Sequence, residues 1–174
     1  IAREMHISGD FVTPRLNAIK YFEKPPLQYW ATAGAYTLFG VNEWSARLWS
    51  ALTGFAGILL AAFVGRRLFS REAGIASAIV LASCLWWTLM SHINTLDMAF
   101  AFFLQVSLCG FLLGQCAAVQ STCERRWHLV AWAAAGLAIL SKGIAGLVLP
   151  GMALVVYCAI QRDIAPLRRL HWVK

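Results

Sequence analysis

The chain has 174 residues, of which 60% are hydrophobic and 13% charged, with a mean hydropathy of +0.64 and a formal net charge of +7. Soluble domains carry about 25% charged residues, so this composition excludes a disordered chain and argues against an ordinary soluble domain. The basic excess falls in short clusters between long uncharged runs, as in a polytopic membrane protein; a nucleic-acid binder would spread it over a polar surface.

Residues 1–47 form a mixed-charge segment with five basic and four acidic side chains. Ser8-Gly9-Asp10 signals a turn, and Pro14 favours extended chain around it. Pro25-Pro26 ends what precedes and can open a helix at Leu27. The run 27–39 carries Tyr29, Trp30, Tyr36 and Phe39 among small residues, which suits a helix lying at a bilayer surface. A plain solvated loop is the alternative, but loops in compact domains are usually shorter than about 12–15 residues unless functional.

Five uncharged stretches follow: 48–65, 73–96, 98–123, 127–141 and 143–161. A spanning helix needs about 20 apolar residues. The fourth stretch is short, and Trp127 and Lys142 can anchor it at the two interfaces. None alternates as a barrel strand would. The expected fold class is therefore an all-α integral membrane protein. It has about five transmembrane helices over 48–174 and an outer segment, 1–47, with short interfacial helices. Gly54, Gly57, Gly110, Gly114, Gly136 and Gly146 suit close helix contacts, and Pro150 predicts a kink in the last helix. Cys84, Cys109, Cys116, Cys123 and Cys158 have no CxxC spacing and read as small apolar packing residues.

Arg66, Arg67 and Arg71 follow the first span, Arg125 and Arg126 the third, and Arg162, Arg168, Arg169 and Lys174 the fifth. By the positive-inside rule all three clusters are cytoplasmic. The first 47 residues, Asp97 and the turn at Lys142 then face outward. Starting at Ile1 without a signal peptide, the chain reads as a piece of a longer protein.

Two places carry candidate chemistry. Tyr21-Phe22-Glu23-Lys24-Pro25-Pro26 sets an acid and a base beside a rigid Pro-Pro, near a membrane face. Lys can bind phosphate as a point charge and Glu can ligate a metal, while a local ion pair is the plainer reading. Asp97 interrupts a long uncharged region and is expected at the outer rim, either as the N-cap of the third span or in a site. His92 and Asn94 lie within two turns of it. Trp86 and Trp87 read as interfacial belt residues, Lys142 as a snorkelling lysine, and Arg66, Arg67, Arg125 and Arg126 as topological charges. A polytopic transporter or channel segment is the alternative function, although it leaves the outer segment unexplained.

The run Arg3-Glu4-Met5, Ser8-Gly9-Asp10-Phe11, Pro14, Tyr21 to Leu27, Tyr29-Trp30 and Arg47-Leu48 resembles the first outer loop of polyprenyl-phosphate-dependent glycosyltransferases of the GT-C class. The likeness is to the lipid A aminoarabinose transferase branch, related to protein O-mannosyltransferases. Asn94 to Met98 is similar to that family's second acidic site, and Ser141-Lys142-Gly143 to a recurrent Thr-Lys-Gly turn.

This resemblance implies a multi-pass protein of a bacterial inner membrane with its site facing the periplasm. A sugar would pass from a polyprenyl-phosphate donor to a lipid A-type acceptor or a protein hydroxyl. It implies Asp97 as a catalytic carboxylate, Lys24 and Tyr21 at the donor phosphate, and Glu23 as the ligand of a possible divalent cation. Lys24, Glu23 and Asp97 should then face one outer cavity. The family's main catalytic aspartate lies in an Asp-Glu-x-Arg-Tyr-type run upstream of the Arg-Glu-Met segment. The piece from Ile1 onward is expected to be roughly the first third of such an enzyme and inactive alone.

Overall fold

The computed structural model describes residues 1–162, 164 and 165. Arg168, Arg169 and Lys174 of the third basic cluster lie outside the described residues. The outer segment contains α1 (Ala2–Ser8), a hairpin of β1 (Arg15–Leu16) and β2 (Ile19–Lys20), and α2 (Leu27–Phe39). The bundle follows with α3 (Glu43–Leu68), α4 (Arg71–Ser83), α5 (Leu85–His92), α6 (Leu96–Cys116), α7 (Thr122–Lys142) and α8 (Ala145–Gln161).

The outer segment folds onto itself. Gly9 takes the left-handed conformation that ends α1, and Asp10 Oδ1 accepts from the Val12 and Thr13 amides to make the expected turn. Those amides, Thr13 first, hold the Asp10 carboxyl below its ordinary value. α1 seats Met5, fully buried, against α2, and His6 Nδ1 lies 3.2 Å from Thr37 Oγ1. Trp30 Nε1 donates to the Phe11 carbonyl at 2.7 Å. The hairpin is an addition to the all-α expectation: Asn17 and Ala18 both have positive φ at its two-residue turn, which carries no Asn-Gly signal. α2 begins after Pro26, as the Pro-Pro pair predicts.

α3 opens with a reciprocal cap. The Ser45 amide donates to the Asn42 side chain at 2.8 Å, and the Asn42 amide donates to Ser45 Oγ at 3.2 Å. Its faces invert the polarity of a soluble helix. Ser50, Thr53, Gly54 and Gly57 are buried, while Leu52, Phe55, Leu59 and Phe63 form an exposed stripe at helical spacing. That is the surface lipid favours. α3 and α6 are each long and apolar enough to cross a bilayer. α4 and α5 make a third span if the bent pair is one.

The expected single helix over 73–96 is broken. α4 and α5 meet at 63°, with Cys84 extended between them. The backbone cost is offset locally, since Thr88 Oγ1 donates to the Ala82 carbonyl at 3.0 Å and the Cys84 amide to the Leu81 carbonyl at 3.2 Å. The bend turns α5 back over α3. Trp87 Nε1 donates to the Gly54 carbonyl at 3.1 Å, so Trp87 packs α5 onto α3. Trp86 remains exposed.

α6 and α7 form the tightest pair. Gly110 and Gly114 lie against Ala131 and His128, and a Cβ at Gly110 would stand 3.0 Å from that of Ala131. The buried stripe of α7 runs Glu124, His128, Ala131, Ala134, Ala135, Ala138, Ser141. Gly136 falls off that stripe and meets nothing within 4 Å, so its expected helix contact is absent. Gly143, at φ +77°, turns the chain into α8, which continues through Pro150.

Candidate active site

The α6–α7 register decides where the charged ends meet. With Gly110 and Gly114 seated against α7, Asp97 in the first turn of α6 comes beside Lys142 in the last turn of α7. Lys142 Nζ pairs with Asp97 Oδ1, both side chains about half exposed (49% and 50%). The ammonium also stands 5.6 Å from the centroid of the Phe100 ring, within cation–π range. The N-cap of α6 is Thr95, so Asp97 sits inside the first turn and does not cap it. An acid there also complements the positive end of the helix. Trp86, Trp87, Met90, Met98, Phe100 and Ala101 complete a cavity of about 430 Å³ around the pair.

The second cluster lies just before α2. Tyr21 Oη donates to Glu23 Oε2 at 2.8 Å, and Lys24 Nζ lies 3.5 Å from Glu23 Oε1. The Tyr21 hydrogen bond, then the Lys24 charge, hold the Glu23 carboxyl below its ordinary value, and the same hydrogen bond raises the Tyr21 hydroxyl. The local ion pair read from sequence is thus present, with Tyr21 as a third member.

Both clusters belong to one end of the bundle. Gln28 Nε2, in the first turn of α2, donates to Asn94 Oδ1 in the turn that leads into Asp97. Leu27 packs with Trp49 and Phe100 against the buried Ala99, Phe103 and Ala138. Arg67 lies at the opposite end, in a cavity wall with Cys116 at the end of α6, Ser121 of the α6–α7 connection and Trp127 in the second turn of α7. Tyr21, Glu23 and Lys24 are not among the residues that line the Asp97 cavity.

His92 does not face Asp97. Its Nδ1 lies 2.8 Å from the Thr88 carbonyl, and the ring lines a separate cavity with Glu43, Trp44 and Arg47. His92 is a hydrogen-bonded residue of the last turn of α5. Among the described residues no group of three or more His, Cys, Asp or Glu side chains could hold a metal ion. Glu23 is a single carboxylate donor, engaged by Tyr21 and Lys24. Two partnerships were not visible in sequence, Asp97 with Lys142 and Gln28 with Asn94. Each depends on the packing register of residues 45 and 66 positions apart.

A helical membrane fold with an acid–base cluster at one rim defines the class, and the comparisons specify the family. The sequence profile of the dolichyl-phosphate-mannose-protein mannosyltransferase family matches residues 23–172, and the chain belongs to that family. It is 31% identical over 164 residues to the undecaprenyl phosphate-alpha-4-amino-4-deoxy-L-arabinose arabinosyl transferase of Edwardsiella ictaluri, covering 93% of this chain and 29% of that protein. The enzyme of the same name from Shewanella sediminis is 32% identical over 174 residues, covering 99% of this chain and 31% of its own length. The crystal structure of ArnT from Cupriavidus metallidurans bound to undecaprenyl phosphate superposes with a TM-score of 0.94 at 46% identity, over 98% of this chain and 32% of that one. The chain thus spans about a third of the relatives it matches.

Proposed function

We propose that this chain contributes the donor-side part of a membrane glycosyltransferase. The enzyme moves a sugar from a polyprenyl phosphate to a lipid A-type acceptor. The single observation that carries this reading is the gathering of the Tyr21-Glu23-Lys24 cluster and the Asp97–Lys142 pair at one rim, joined through Gln28 and Asn94. The resemblance to enzymes named for undecaprenyl phosphate-aminoarabinose transfer supports the donor and acceptor classes.

In the transfer, the acceptor oxygen bonds to the anomeric carbon as the bond from that carbon to the phosphate oxygen breaks. The acceptor proton goes to a carboxylate, and the polyprenyl phosphate leaves with added negative charge. Lys24, with Tyr21 beside it, stabilises that charge, an effect stronger at a membrane rim than in bulk water. Asp97, held by Lys142, orients the acceptor or shares the proton transfer.

Five crossings belong to the same reading: α3, α4 with α5, α6, α7 and α8. The Arg66-Arg67, Arg125-Arg126 and Arg162 ends lie at the cytoplasm and the site at the periplasm of a bacterial inner membrane. A transporter with a midplane carboxylate is disfavoured by Asp97's place in a first turn, paired at the rim. The experiment is transfer of radiolabelled sugar from a polyprenyl-phosphate donor in membranes holding the full-length protein. Lys24→Ala should lower the rate about 10²–10³-fold at matched protein level, the usual cost of losing one charge-stabilising group. An unchanged rate overturns the assignment of Lys24.

A further inference from the structure

The rim opposite the site carries two cavities that share one side chain. Arg67 lines a cavity of about 370 Å³ with Phe63 and Arg66, and another of about 450 Å³ whose wall includes Leu68, Leu113 and Trp127. The rings of Phe63 and Trp127, 6.0 Å apart, bridge α3 to α7 at this place. Arg66 and Arg67 take part in none of the ion pairs among the described residues, which join Arg15 to Asp10, Lys24 to Glu23, Arg47 to Glu43 and Lys142 to Asp97. Glu124, the acid of the adjoining α7 first turn, is fully buried and takes the Gln120 amide at 2.6 Å. Two cationic side chains without an acidic partner thus stand over apolar and aromatic walls that lead toward the spanning part of the bundle.

Topology alone requires the charge, and not the walls. Arg125 and Arg126 supply equal charge at the same rim, and neither lines these cavities. We infer that the Arg66–Arg67 cavities form a binding site for an anionic phospholipid of the surrounding bilayer. Its phosphate lies between the two guanidinium groups, and an acyl chain runs along the Phe63 and Trp127 rings. Arginine suits the phosphate because its planar fork donates two parallel hydrogen bonds. Basic pockets between spanning helices on the cytoplasmic side are the places where such headgroups bind. This site is independent of the transfer reaction and lies at the other end of the molecule.

The test is native mass spectrometry of the full-length protein in detergent, titrated with phosphatidylglycerol or with phosphatidylcholine. The site requires retention of the anionic lipid over the zwitterionic one. Arg66→Gln with Arg67→Gln should weaken phosphatidylglycerol binding about thirtyfold, roughly fivefold per arginine. Trp127→Leu, which keeps every charge, should also weaken it. Arg125→Gln with Arg126→Gln should leave it within about twofold. If the last pair costs as much as the first, or if Trp127→Leu has no effect, only diffuse charge attraction is present and the site is refuted. Displacement of the lipid by millimolar inorganic phosphate would assign the arginines to free phosphate and overturn the lipid reading. Should the double arginine variant fail to insert, the single Arg67→Gln variant and Trp127→Leu decide the matter on the same readout.

Discussion

Replacing Gly57 with alanine should destabilise the protein by about 0.5–3.5 kcal/mol and should lower transfer further than that loss explains. A Cβ at Gly57 would stand closer than 3.0 Å to the Trp87 ring and 3.0 Å from Gln105 Oε1, whereas non-bonded carbons rest at about 3.5–4.0 Å. The indole must therefore move. Its hydrogen bond to the Gly54 carbonyl, 3.1 Å long, stretches or breaks at a cost of about 0.5–1.5 kcal/mol. The Gln105 bond to the Gly57 carbonyl, at 3.2 Å, is disturbed with it. Overpacking adds about 1–3 kcal/mol, and the better helix propensity of alanine returns about 1 kcal/mol. Because α5 carries Trp86, Trp87 and Met90 into the wall of the Asp97 cavity, the displacement reaches the site. The assay is unfolding of the full-length protein in detergent beside sugar transfer. Gly136→Ala serves as the reference, since its Cβ meets nothing within 4 Å. Equal unfolding midpoints for Gly57→Ala and Gly136→Ala would refute the wedge.

Three further outcomes follow from the same geometry. Tyr21→Phe should raise the Glu23 titration toward the ordinary carboxylate range, read by carbon NMR of labelled glutamate, because the Tyr21 hydrogen bond is the first cause of the depressed value. With a depressed folded value, the contribution of this arrangement is full above the ordinary carboxylate value. It is lost as pH falls through the folded one. An unmoved titration removes Tyr21 from the cluster. Asp97→Asn and Lys142→Gln should each lower transfer, and the double variant should fall no further than the worse single. Their coupling in unfolding should stay within about 1 kcal/mol because both side chains are half exposed. Additive rate losses would mean that the two act separately. Amides of 85–92 should exchange with deuterium sooner than those of 99–114, since α5 has no buried residue and α6 buries Ala99, Phe103, Ser107 and Gly110 among others. Equal protection would contradict a lightly held α5.

The helices bounded by charges or caps were legible in the chain. α3 ends at Arg66-Arg67, α2 starts after Pro-Pro, and Gly110 and Gly114 make the contacts that their spacing implies. The break at Cys84 was not legible, because no Pro or Gly marks it. The Thr88 hydroxyl satisfies the Ala82 carbonyl that the bend exposes, and a threonine inside an apolar run looks the same in a straight helix. Gly136 misled for the opposite reason: glycine content signals close approach only on the face that meets a neighbour, and α7 turns its 124–128–131–135–138 stripe inward. Of the site, Asp97, Glu23 and Lys24 stood out by charge. Lys142 as partner of Asp97 did not, because that pairing is a property of hairpin register and not of either residue's surroundings in sequence.

The interhelical polar contacts explain why the site end is built from glycine as much as from charge. Trp87 donates to the Gly54 carbonyl and Gln105 to the Gly57 carbonyl, so α3 offers main-chain acceptors on the face from which α5 and α6 approach. A side chain at Gly57 would press on the Trp87 ring and on Gln105, and one at Gly54 would press on Ser91 of α5. In an apolar medium a helix carbonyl is already bonded within its own helix. The added donor therefore satisfies Trp87 and Gln105, not α3. The two donors then hold α5 and α6 on α3, while the seat of Gly110 and Gly114 against α7 brings Lys142 to Asp97. Removing the glycines and removing the charges should thus damage the same site by different routes, the first through the position of the wall and the second through the chemistry in front of it.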